Sequence, residues 1–160
     1  MSTNCRVLTV WCLLVLLSLR PAIAPAASAD ERPRVVVLTD ISNEPDDEES
    51  MVRFLVYSNE LDVEGLIATT STHLRDRTRE DLIRRQIEAY GQVRENLTKH
   101  APGYPTRDQL LAVTHTGQPG YGMAAVGAGK VTAGSRQIIE VVDPQREGPS
   151  QVVSNRLSEI

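Results

Sequence analysis

Hydrophobic and polar positions alternate along this chain in blocks that predict a strand, a helix and another strand. Residues 34–39 contain the β-branched apolar run Val35-Val36-Val37-Leu38, which is typical of a strand buried on both faces. Residues 63–70 predict a second strand. Between the two strands, Met51, Phe54, Leu55 and Ser58 recur at helical spacing. The pattern therefore predicts a β-α-β unit, whose two strands are parallel.

A long amphipathic helix is the next element that the pattern predicts. Thr78 and, three residues later, Asp81 have the spacing of a capping box, which indicates the start of this helix. Its apolar positions follow at spacings of three and four residues. Pro102 excludes a continuation beyond His100 because proline cannot donate a backbone hydrogen bond.

Two short helices are expected in the second half of the chain. Thr106 and Gln109 predict a second capping box, and a last helix is expected to begin at Gly134 or Ser135. Residues 115–130 are rich in glycine, and we expect an irregular segment there.

The order β-α-β-α-α-α predicts the fold class. It is typical of the N-terminal part of an open, mostly parallel, doubly wound α/β sheet. From Pro144 onward the sequence is polar apart from Val152 and Val153, so we expect no strand there. The predicted organisation is a partial domain over residues 30–143 and a poorly ordered tail over residues 144–160.

The first 29 residues have the pattern of a secretory signal peptide. Arg6 precedes an apolar run over residues 7–19, and Ala27-Ser28-Ala29 is a small-residue cleavage sequence. The alternative is an uncleaved N-terminal anchor. Cleavage after Ala29 predicts an exported protein, periplasmic or extracellular, and removes both cysteines of the chain.

The charge of the remaining chain bears on its partners. Without residues 1–29 the chain keeps 15 basic and 21 acidic residues, a net charge of −6. A mildly acidic chain with few aromatic residues is a poor candidate for nucleic-acid binding. We also expect no membrane association after signal cleavage, and the sequence carries no signal for an oligomeric state.

The acidic turn after the first strand carries the candidate chemistry. Asp40 ends the buried strand, and Asp46 and Asp47 open the helix behind Pro45. Acidic residues at a helix start usually serve the helix dipole, but Asp40 has no such role. Ligands of open α/β sheets bind at the carboxyl edge of the strands. Three carboxylates gathered there suggest a site for a hard metal ion, because they repel one another unless protons or a cation intervene.

A family resemblance adds to this interpretation. Residues 39–53 resemble the N-terminal signature of the calcium-dependent nucleoside hydrolases. Together with Tyr57-Ser58-Asn59 and residues 65–71, they are more similar to the nucleoside hydrolase-like domain of bacterial cellulose-binding proteins. The resemblance covers residues 34–143 and is most specific at its start.

The resemblance implies roles for individual residues. Asp40 and Asp47 would bind Ca²⁺, and Asp40 would also be the catalytic base that activates water. Asp46 would hold sugar hydroxyl groups, with Asn43 and Glu44 as further substrate-binding residues of the same turn. The implied reaction is attack of water on an anomeric carbon with oxocarbenium character.

Other features limit the resemblance or extend it. His73 lies in the loop after the second strand and is a further candidate for substrate contact; the alternative is a solvated histidine. Nucleoside hydrolases usually have an Asp where this chain has Leu38, and their turn is two residues shorter. Their other metal ligands and the leaving-group acid come from later segments, so we expect this chain to hold half of a site.

Two functions therefore remain open at the level of the sequence. One is an exported hydrolase of N-glycosidic bonds that acts on a nucleoside by metal-activated water. The other is a non-catalytic protein on the same scaffold that binds a carbohydrate such as cellulose. A nonfunctional fragment of either is the third alternative.

Overall fold

The structure, a computed structural model, describes residues 32–42, 44–143 and 150–154, the last five by their backbone alone. The predicted signal peptide and Asn43 lie outside the described residues. So do residues 144–149 and 155–160 of the predicted tail.

Four parallel strands form one sheet in the described part of the chain, in the order β3-β2-β1-β4. The strands are β1 (Arg34–Thr39), β2 (Asp62–Ala68), β3 (Thr114–Thr116) and β4 (Ser150–Ser154). The helices are α1 (Pro45–Val56), α2 (Glu80–Thr98), α3 (Arg107–Ala112) and α4 (Ala133–Val141). Short 3₁₀ turns span Ser58–Glu60 and Met123–Ala125. The predicted α/β class with an open parallel sheet is confirmed.

Two strands were not expected from the sequence. The prediction of no strand after Pro144 is wrong, because β4 pairs with β1 from Arg34↔Ser150 to Leu38↔Ser154. The prediction of irregular structure from His115 is also wrong at its start, because Thr114–Thr116 pairs with β2. Both strands are short and carry polar residues, and they are specified by pairing with a neighbour rather than by their own pattern.

Helices cover both faces of the sheet, as in a doubly wound fold. On one face, α1, α2 and α3 pack over the side chains of Leu66 and Ala68 in the main core. On the other face, α4 contributes Val141 to a smaller core with Val36 and Ile67. The alternation of neighbouring β2 residues between the two cores follows from the two-residue period of a strand.

The helix starts test the capping predictions. The box formed by Thr106 and Gln109 is confirmed at the start of α3. The box predicted at Thr78 and Asp81 is wrong, because α2 begins at Glu80. The Thr78 hydroxyl instead bonds the Thr116 hydroxyl, and Asp81 accepts two hydrogen bonds of 2.9 Å from the Arg79 side chain.

The last helix begins one residue earlier than predicted. Thr132 is its N-cap and forms a capping box with Ser135, so α4 starts at Ala133. The helix then runs very close to the sheet. A Cβ atom on Gly134 would lie 2.6 Å from Ile67 Cγ2 and 2.9 Å from the Thr116 carbonyl oxygen, which explains the glycine at this position.

A buried ion pair holds the amino end of β1. The Arg34 guanidinium lies 2.7 Å from the Glu64 carboxylate of β2 and donates a 2.9 Å hydrogen bond to the Val141 carbonyl. The hydrogen bond with Glu64 raises the pKa of Arg34. Three elements, β1, β2 and α4, are thereby joined at one charged group.

No helix within the described ranges has the length and apolar character that a bilayer crossing requires.

Candidate functional site at the carboxyl edge of the sheet

Three neighbouring strands end together at one edge of the sheet. The Thr69 amide donates a 2.8 Å hydrogen bond to the Thr39 carbonyl, and the Gly117 amide donates one of 2.8 Å to the Ala68 carbonyl. The segments that follow β1, β2 and β3 are therefore held side by side. In parallel sheets with helices on both faces, this is the edge at which ligands bind.

The turn after β1 has a constrained backbone. The Thr39 hydroxyl accepts a 3.1 Å hydrogen bond from the Ile41 amide. Ser42 has φ 100°, a conformation that residues other than glycine rarely adopt. Pro45 then occupies the first turn of α1, where its missing N–H costs no hydrogen bond. Strain of this kind persists where the surroundings impose it and is frequent at functional sites.

Asp40 and Asp47 interact across this turn. Both are partly buried, one at the end of β1 and the other in the first turn of α1. Burial raises the pKa of Asp47, and the charge of Asp40 raises it further. A hydrogen bond with the Glu44 backbone acts in the opposite direction on this pKa. The turn thus brings the negative charge of Asp40 close enough to act on Asp47.

The donor set can be compared with what a calcium ion requires. Ca²⁺ takes six to eight oxygen ligands, including carboxylates, carbonyls and waters. Asp40 and Asp47 supply carboxylate oxygens from the two sides of one turn. Among the described residues, no three His, Cys, Asp or Glu side chains cluster closely enough to hold a metal ion. The pair therefore fits Ca²⁺ in chemical type and would provide two of its ligands.

The predicted substrate-binding residues belong to two segments, the turn after β1 and the loop after β2. Asp46 and Glu44 are exposed on the turn, and Glu44 is the N-cap residue of α1. His73 is exposed in the loop after β2, where its amide donates a 3.0 Å hydrogen bond to the Ser71 hydroxyl. Asn43 is outside the described part of the turn. The roles of these residues remain predictions.

An apolar cleft of about 250 Å³ leads to Asp47 between β1 and α1. Its walls include Val35, Val37, Met51 and Phe54, and Thr39 and Asp47 also line it. Apolar walls with a few polar groups are typical of small-molecule sites.

Sequence reasoning missed the polar residues that join the loops after β2 and β3. Thr72 and Tyr121 share a hydrogen bond of 2.8 Å, and Thr70 donates one of 3.4 Å to the Gly120 carbonyl. Recognition of β3 would have placed Tyr121 at the carboxyl edge. The three-residue strand Thr114–Thr116 carried no periodic signal by which to recognise it.

Comparisons with known proteins agree with this fold. The sequence profile of one family, described as cellulose-binding Sde182, nucleoside hydrolase-like domain, matches residues 34–154. A solved structure of a nucleoside hydrolase-related hypothetical protein from Saccharophagus degradans, associated with carbohydrate metabolism, is 44% identical with a TM-score of 0.71. The match covers 78% of this chain and 30% of the other, so the chain spans less than a third of that relative. No curated protein matches.

Proposed function

The chain belongs to the Sde182 family of nucleoside hydrolase-like domains, and from that premise we propose that it binds a carbohydrate at the carboxyl edge of its sheet through Ca²⁺ held by Asp40 and Asp47. The family description and the carbohydrate association of the structural relative support the ligand class. The resemblance noted in the sequence supports the ion.

The observation that carries this proposal is the interaction of Asp40 with Asp47. Burial of Asp47 raises its pKa, and the like charge of Asp40 raises it further. A bound divalent cation would reverse this effect, because it favours both ionised carboxylates. The position of the pair at the carboxyl edge agrees with where ligands of open α/β sheets bind.

The residues around the pair have distinct proposed tasks. Ca²⁺, when bound, would supply coordination sites for sugar hydroxyl groups. Asp40 and Asp47 would hold the ion, while the exposed carboxylates of Asp46 and Glu44 would accept hydrogen bonds from the sugar. His73 would approach the same ligand from the loop after β2.

Calorimetric titration with calcium chloride tests the proposal. We expect binding by the full chain, and its loss in Asp40→Asn and in Asp47→Asn. Glu49→Gln is the matched control, because Glu49 is exposed on the same helix and its substitution also removes one negative charge. The wild type and Glu49→Gln should likewise be retained on cellulose in the presence of calcium, and Asp40→Asn and Asp47→Asn should not. Equal calcium binding by all four proteins would overturn the proposal.

Hydrolysis of an N-glycosidic bond is the second candidate function. It is favoured by the placement of Asp40, a partly buried carboxylate at a strand end, beside a second acid. Asp40 would then accept a proton from water as that water attacks the anomeric carbon. Release of ribose from inosine or uridine, abolished in Asp40→Asn, would support this function. Saccharide binding without release of ribose would leave the binding function alone.

Export is part of the proposal and is tested separately. The signal-peptide pattern of residues 1–29 is its support. Expression in a bacterial host should yield a protein outside the cytoplasm whose intact mass corresponds to a start at Asp30. A protein of full mass in the membrane fraction would favour the uncleaved anchor.

A further inference from the structure

The two loops beyond β2 and β3 form a connected polar surface. The Tyr121 amide donates a 3.0 Å hydrogen bond to the Arg75 carbonyl. The Tyr121 hydroxyl shares a 2.8 Å bond with Thr72, and Arg75 Nε donates a 2.7 Å bond to the Thr72 carbonyl. These contacts fix Tyr121 at its backbone and at the far end of its ring.

Tyr121 is nevertheless exposed. Its exposed fraction is 40%, and the guanidinium carbon of Arg75 lies 5.4 Å from its ring centroid. The arginine is itself exposed, as is Thr72. An aromatic ring that is immobilised before a ligand arrives loses little conformational entropy on binding.

The other tyrosines differ in their surroundings. The hydroxyls of Tyr90 and Tyr104 donate hydrogen bonds to the carbonyls of Pro105 and Val56, respectively. Tyr57 is exposed by 61%, but it lies between α1 and β2, at the amino edge of the sheet. In the described part of the chain, Tyr121 is thus the tyrosine that is both exposed and placed at the carboxyl edge.

We propose that Tyr121, Arg75 and Thr72 form a sugar-binding subsite in which the ring face opposite the Arg75 guanidinium stacks on a neutral pyranose while Arg75 and Thr72 bond its hydroxyl groups. A sugar ring presents C–H groups on its faces and hydroxyls at its rim. An exposed tyrosine flanked by a guanidinium and a threonine matches both, since its ring is apolar and its neighbours are polar.

The position of the subsite predicts a ligand longer than one sugar. Asp40 follows β1 and Tyr121 lies in the loop after β3, two strands away. Two strand spacings amount to about 10 Å, which is more than one sugar ring spans. An oligosaccharide lying along this edge would contact the Asp40–Asp47 pair and the tyrosine together. This inference rests on the proposed carbohydrate function.

Affinities for glucose, cellobiose and cellotriose in excess calcium test the subsite. For the wild-type chain, we expect affinity to increase with length. Tyr121→Ala should weaken cellotriose binding about tenfold, as expected for the loss of one stacked aromatic contact. Its glucose affinity and its calcium affinity should not change. Tyr57→Ala is the matched control and should bind cellotriose as the wild type does.

A second variant separates stacking from folding. Tyr121→Phe keeps the ring and loses the hydrogen bond to Thr72, so cellotriose binding should weaken by only about threefold. Equal cellotriose binding by the wild type and Tyr121→Ala would overturn the subsite while the proposed function stood. A wild-type chain that binds calcium but none of the three saccharides would overturn both.

Discussion

The two ends of β1 carry charge in opposite arrangements. At the amino end, Arg34 lies 2.7 Å from Glu64 and bonds the Val141 carbonyl, so a cation meets an anion inside the fold. At the carboxyl end, burial raises the pKa of Asp47, and the like charge of Asp40 raises it further. The six-residue strand β1 thus has an opposite-charge pair that stabilises the fold at its amino end and a like-charge pair that destabilises the fold at its carboxyl end.

The difference agrees with the proposal that a ligand binds at the carboxyl end. An opposite-charge pair at the amino edge fixes β1, β2 and α4 without any ligand. A like-charge pair at the carboxyl edge costs stability that a bound cation would restore, in agreement with the rule that stability and ligand binding divide between the two edges of such sheets. The strained Ser42 backbone lies at this same end.

The largest expected effect is disruption of the amino end by Glu64→Ala. It leaves the Arg34 guanidinium in a site where only 10% of its side chain is exposed. We expect the unfolding free energy to fall by about 3–5 kcal/mol, which the midpoint of urea denaturation measures. Glu95→Ala is the control, since it is the same substitution at an exposed position of α2. A midpoint equal to that of the control would contradict the structural role of the pair.

Calcium bound by Asp40 and Asp47 at the carboxyl end of β1 should raise the free energy of unfolding. At a concentration one hundred times the dissociation constant, a ligand that binds the folded state adds about 2.7 kcal/mol to the unfolding free energy. Thermal melts with and without calcium chloride measure this increase. Asp40→Asn should melt at the same temperature in both conditions, and a calcium effect that persists in this variant would place the ion elsewhere.

Ser42→Gly should relieve backbone strain at the carboxyl end. Glycine adopts positive φ without steric cost, so the unfolding free energy should rise by about 1 kcal/mol in spite of the added chain entropy. Urea denaturation measures the change. Ser42→Ala should bring no such increase, because alanine retains the Cβ atom; an increase in that variant would exclude strain as the cause.

Asp47→Asn without metal should be more stable than the wild type at neutral pH, by less than about 1 kcal/mol because the side chain is partly exposed. The folded-state pKa of Asp47 is raised, so its ionisation opposes folding above that pKa. As the pH falls through the raised pKa toward the unfolded value, wild-type Asp47 takes up a proton and the difference between the proteins should vanish. Urea denaturation at several pH values measures this difference in stability.

Glu88→Gln is the matched comparison for this pH dependence. Two hydrogen bonds from Arg107, of 2.5 and 2.6 Å, lower the pKa of Glu88. The contribution of Glu88 is therefore present above its unfolded pKa and lost as the pH falls through the folded value. Relative to this variant the wild type should lose stability on acidification. If acidification changed the stability of the wild type relative to Asp47→Asn and relative to Glu88→Gln in the same direction, the opposite pKa shifts of Asp47 and Glu88 would be contradicted.

The sequence predicted the first β-α-β unit because its signals are local and strong. The apolar run of β1 matched the observed strand from Arg34 to Thr39, and the helical spacing after Pro45 matched α1. It did not predict β3 or β4, because strands such as Thr114–Thr116 depend on a neighbouring strand that is distant in sequence. The Thr78 box failed for a related reason, since its hydroxyl bonds Thr116 across the fold.

The residues of the candidate site also differ in whether they are neighbours in sequence or only in the folded sheet. Asp40 and Asp47 are close in sequence, so one turn brings them together. Tyr121 and Thr72 belong to different loops and meet only because β2 and β3 are neighbours. Side chains that are joined by the folded sheet alone leave no periodic signal in a single sequence.

The pairing of Arg34 with Ser150 has a consequence for the order of folding. Strand β1 is synthesised first, and it can pair with its second neighbour, β4, only after β4 has left the ribosome. Pairing across such a long sequence separation is slow, because the entropy of closing a large loop must be overcome first. Until then, one side of β1 exposes backbone groups that another chain can pair with, so the nascent protein is most prone to aggregation through β1 before β4 pairs with it.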